Sequence, residues 1–76
     1  MTRLYMTLRK TVRQAGYSSV IWALAGMTDR SPSYISSCLR GVRSFQPNEI
    51  RTIAKNLDKE SEIPKLFPVL GIEEAS

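Results

Sequence analysis

Leu24-Ala25-Gly26-Met27-Thr28-Asp29-Arg30-Ser31-Pro32-Ser33-Tyr34-Ile35-Ser36-Ser37-Cys38-Leu39-Arg40-Gly41 is the stretch on which the fold turns. Ser31-Pro32 is a helix start: the serine oxygen accepts from free backbone N–H groups, and proline at the first helical position loses no hydrogen bond. Tyr34, Ile35, Cys38 and Leu39 then fall on one face. Arg40 suits the negative end of the helix dipole, and Gly41 enters the left-handed conformation that closes a helix. A helix is therefore predicted over about 32–40. Upstream, Ser18 or Ser19 caps a helix whose buried side is Val20, Ile21 and Leu24, and Thr28, Asp29 and Arg30 read as the connection between the two.

Working outward, Leu4, Leu8 and Val12 recur every fourth residue with Met1 and Tyr5 beside them, while Arg3, Arg9, Lys10 and Arg13 fall largely off that stripe. The pattern predicts an amphipathic helix over about 3–15, stopped by Gly16. Gln46-Pro47 opens another helix, with Ile50, Ile53, Ala54 and Leu57 inward and Glu49, Arg51, Lys55 and Asn56 facing away. A last short turn is expected near Ser61, with Pro64 in its first turn, Ile63, Leu66 and Phe67 packing back, and Pro68 ending it. The fold class is all-α: a compact bundle of about five short helices, with no repeat, no callable strand and no low-complexity tract. Residues 1–68 form the domain and 69–76 a tail. Its apolar part either covers the domain's own core or pairs two copies, and the second is preferred.

Seventy-six residues make one domain, too small to bury more than about 60% of its unfolded surface. The apolar share of 42% is that of a globular chain. Cys38 is the single cysteine and histidine is absent, so neither an internal disulfide nor a Cys/His zinc site is expected, and no cofactor or metal is called for. Cysteine usage and the lack of a signal sequence point to a cytoplasmic setting. The longest apolar run, Val20 to Met27, is eight residues, against the roughly 18–20 that cross a bilayer. Without histidine, paired carboxylates or a glycine-rich phosphate loop, an enzyme is not expected. Charge is uneven: residues 1–57 hold nine Lys/Arg against two acids, Asp29 and Glu49, whereas residues 58–76 hold two Lys against five acids. A basic body suits a polyanionic partner, or else serves solubility.

Leu24-Ala25, Ser31-Pro32-Ser33-Tyr34-Ile35-Ser36, Leu39-Arg40-Gly41-Val42-Arg43 and Ile53-Ala54-Lys55-Asn56-Leu57 together resemble the Cro/phage-repressor class of helix-turn-helix proteins, the lambda-repressor-like family. The separations agree as well, with 11 residues from Leu24 to Ile35 and six from Ile35 to Gly41. The resemblance implies a sequence-preferring transcriptional regulator of phage or mobile-element type, binding double-stranded DNA as a homodimer with helix 3 in the major groove. It places Pro32, Ser33, Ser36 and Ser37 at base-reading positions and Arg40 and Arg43 at phosphates. Arg30, Ser31 and Tyr34 complete the expected DNA face. The chain departs from the family in three ways. Asp29 stands where the turn usually has glycine, serines replace the Arg, Gln and Asn that read bases bidentately, and the interval from Gly16 to Leu24 is about two residues longer.

The departures keep a second function in view: the same fold used as a protein-binding module, an antirepressor or inhibitor of a DNA-binding protein. Several side chains also carry two readings. Tyr34 either stacks on DNA or, preferably, closes the core. Trp22 either covers the core edge, which is preferred, or belongs to an interface. Cys38 reads as a small core residue. Arg9, Lys10 and Arg13 read as a solvated helix face, with flanking DNA as the alternative.

Overall fold

The computed structural model describes residues 4–68. Among these the expected all-α architecture is observed: α1 (Met6–Gln14), α2 (Val20–Thr28), α3 (Pro32–Leu39), α4 (Pro47–Asn56), a 3₁₀ turn (Glu60–Glu62) and α5 (Ile63–Leu66). The tail 69–76, Met1 and Arg3, on which expectations were placed, lie outside the described residues. No helix among those described is long and apolar enough to cross a membrane.

Local signals set most boundaries. Ser19 caps α2, its side chain accepting from Trp22 N–H at 3.4 Å, and Ser31 caps α3, accepting from Tyr34 N–H at 3.2 Å. Pro32, Pro47 and Pro64 all sit in first turns, where no hydrogen bond is lost. Gly16 (φ 101°) lies just past α1 and Gly41 (φ 82°) just past α3. Beyond Gly41 the chain folds back, with Val42 N–H bonded to Ser37 O at 3.0 Å.

Two boundaries differ from expectation. α1 begins at Met6 rather than near residue 3, because Tyr5 adopts a left-handed conformation (φ 56°) that no helix continues. Its ring is buried instead, packed edge-on against Phe45 (centroids 5.4 Å apart) and Phe67 (6.3 Å). α2 includes Thr28, assigned above to the connection; its hydroxyl donates to Leu24 O at 2.8 Å. Asp29 then takes the left-handed position (φ 56°) and Arg30 N–H returns to Ala25 O at 3.2 Å, so the connection is only 29–31.

Leu8, Val12, Leu24, Ile35, Cys38 and Ile53 are fully enclosed, with Leu39 and Leu66 nearly so. The α2–α3 pair is the most extensive helix contact, backed by α4 on α2 and by α1 on both α2 and α5. Truncating a side chain such as Leu24 or Ile35 to alanine would cost about 2–5 kcal/mol, a large part of what a domain this size possesses.

Gly41 has two constraints at once: its positive φ, and the Leu4 Cδ1 atom, 2.9 Å from where a Cβ would lie. Gly41→Ala is expected to lower unfolding free energy by about 1–2 kcal/mol, measured by urea titration followed by circular dichroism.

Candidate nucleic-acid interface

The site is organised from an unexpected place. Glu49 is the third residue of α4 and was expected to face solvent, yet it is 2% exposed. Three donors account for its burial. Its Oε1 accepts from the backbone N–H of Gln46 at 2.8 Å and from the Tyr34 hydroxyl at 2.9 Å, and its Oε2 accepts from Arg30 Nε at 2.8 Å. A lone carboxylate would be expensive to remove from water; one with a cation and two further donors is not. The Gln46 bond is one arm of a capping box, which fixes the side chain over the start of its own helix.

The same carboxylate therefore holds the α2–α3 connection, through Arg30, and the first turn of α3, through Tyr34. The Arg30 guanidinium lies over the Tyr34 ring, 5.2 Å from its centroid, and that of Arg43 lies 5.7 Å from the same centroid. Burial, reinforced by the bond to Glu49, pushes the Tyr34 phenol above its ordinary value, so it remains a neutral donor. Behind it, burial raises the Cys38 thiol, consistent with a small core residue.

Arg30, Tyr34 and Arg43 thus form one cluster. Arg43 reaches it because its own N–H and that of Val42 both bond Ser37 O, at 3.3 and 3.0 Å, folding the chain after Gly41 back along α3. Ser31 and Ser33 are exposed at the start of α3, and Pro32, Ser36 and Ser37 are half-buried. Arg40, the C-cap of α3, is exposed and stands at the opposite end of the helix from Arg30. Tyr34 is half-buried with its hydroxyl committed to Glu49, packing against the core as preferred above.

Two further expectations need correction. Trp22 does not cover the core edge; it is 70% exposed, because Val20 and Leu24 turn the opposite side of α2 inward. Arg9 is not simply solvated. Its Nε donates to Leu4 O at 2.8 Å and its Nη2 to Leu39 O at 3.3 Å, satisfying a carbonyl at the end of α3. Lys10 and Arg13 are exposed, as expected. Glu49 had a legible signal, the Gln46-x-x-Glu49 spacing beside Pro47. Phe45, buried between Tyr5 and Phe67, had none.

Matched against protein-family models, curated proteins and solved structures, the chain finds no counterpart.

Removing the Glu49 carboxylate leaves the Tyr34 hydroxyl and the Gln46 N–H without their acceptor and Arg30 without its counter-charge. Glu49→Ala is expected to cost about 2–4 kcal/mol, whereas Glu49→Gln, which keeps an acceptor oxygen, costs clearly less. Paired urea denaturations check this; equal and negligible losses would contradict the arrangement.

Proposed function

We propose that the chain is a DNA-binding transcriptional regulator of phage or mobile-element type. In this reading α2, the connection 29–31 and α3 act as a lambda-repressor-like helix-turn-helix. The first turn of α3 enters the major groove of operator DNA, and a dimer reads two half-sites.

One observation carries the reading: among the described residues, Glu49, the acid bonded to the first turn of α3, is buried rather than exposed. Glu49 is withdrawn under Arg30 and Tyr34, so Arg30, Arg40 and Arg43 surround a short helix whose exposed side chains are small and polar. Such a surface suits a phosphate backbone approached closely by a helix. Ser33, Ser36 and Ser37 bond many base edges without choosing strongly among them.

A second reading is favoured by Trp22, in the first turn of α2, and the exposed Tyr17 just before that helix, which line one surface depression, since exposed aromatics are common anchors of protein interfaces. There the domain binds another regulatory protein. Co-purification of a protein partner together with weak affinity for DNA would select it.

The leading reading is tested by fluorescence anisotropy on labelled duplex DNA at two salt concentrations. Binding should weaken with salt, and Arg40→Ala and Arg43→Ala should each weaken it several-fold on every sequence and reduce the salt slope by about one. Failure of the unaltered protein to bind any duplex at low salt would overturn it.

A further inference from the structure

Arg30 is held differently from Arg40 and Arg43. Its Nε edge is committed to Glu49 at 2.8 Å, and its flat face rests on Tyr34, which the same carboxylate fixes. Glu49 cannot swing away without giving up its bond to the Gln46 N–H. Yet the Arg30 side chain is 47% exposed, and among the described residues its two terminal amines make no hydrogen bond. The remaining edge of the guanidinium is a pair of parallel donors, and much of the rotamer freedom an arginine loses on binding has already been lost on folding.

Two parallel donors match two adjacent acceptors, such as O6 and N7 of guanine or two oxygens of one phosphate. None of Pro32, Ser33, Ser36 and Ser37 offers such a fork. We infer that Arg30 is the bidentate contact of this surface, reading a paired acceptor on DNA, and that Glu49 is the residue that positions it. This rests on the DNA-binding reading above. Where the acceptor is guanine, it moves discrimination from the serine face of α3 to the connection before it; where it is phosphate, it fixes the register of α3 on the backbone.

The test uses a duplex selected from a random-sequence pool and a scrambled duplex of the same composition, at one salt concentration. Arg30→Lys keeps the charge and removes the fork; it should weaken binding about tenfold to a hundredfold, whereas Arg40→Lys changes it about twofold or less. Glu49→Gln keeps an acceptor for Tyr34 and Gln46 but loosens Arg30, so it should weaken binding several-fold, with little further loss when added to Arg30→Lys. Loss confined to the selected duplex assigns the fork to guanine, and equal loss on both assigns it to phosphate; either supports the inference. Arg30→Lys binding within twofold of the unaltered protein, or full additivity with Glu49→Gln, overturns it. Circular dichroism melts verify that each variant is folded, and should Glu49→Gln not fold, the half-exposed Arg30 position carries the test alone. Absence of all duplex binding by the unaltered protein would remove the DNA reading and this inference together. Binding indifferent to Arg30→Lys would remove only the inference.

Discussion

A carboxylate buried in a domain of this size needs its partners in place, and each of the three that Glu49 recruits comes from a different part of the chain. Gln46 belongs to the start of α4, Tyr34 to the first turn of α3, and Arg30 to the connection leaving α2. These bonds are directional, unlike the apolar contacts among Leu24, Ile35 and Ile53 beneath them. The core decides that α2, α3 and α4 pack together; the carboxylate constrains how α3 is seated when they do. Apolar groups of the right volume tolerate small slips, whereas a charged acceptor with three donors does not.

Most of the fold was legible because helix ends are written in local chemistry. Ser19, Ser31, Pro32, Pro47, Gly16 and Gly41 all act where a single residue type solves a backbone problem, so spacing alone found them. What was not legible depends on contacts distant in sequence. Tyr5 is not a glycine and carries no sign of its positive φ; it accepts that conformation because Phe45 and Phe67 enclose its ring. Trp22 was misassigned although the stripe of Val20, Ile21 and Leu24 already left it off the buried side of α2, because a large aromatic beside a core is ordinarily covered. Glu49 was misassigned despite its Gln46-x-x-Glu49 spacing, because that spacing sets the carboxylate over its own helix start without revealing Arg30 and Tyr34, whose bonds allow its burial.

The candidate site was legible as a list and not as an arrangement. Arg30, Tyr34 and Arg43 were all expected on the DNA face, but nothing in their spacing indicates that two guanidiniums gather on one ring, or that one is anchored by its Nε. The arrangement changes what each is suited to do. Tyr34 is a platform whose hydroxyl is spent, Arg30 is an oriented donor pair, and Arg40 and Arg43 are less constrained charges. In the proposed function that division separates positioning on the backbone from reading of a paired acceptor.

The central claim is that Glu49 and Arg30 act as a unit that seats α3. A double-mutant cycle measures it most directly, comparing Arg30→Ala, Glu49→Gln and the double variant by urea denaturation. Because Arg30 is half exposed, solvent screens the pair, and a coupling of about 1–2 kcal/mol is expected. A coupling indistinguishable from zero, with the two losses simply adding, would contradict the account.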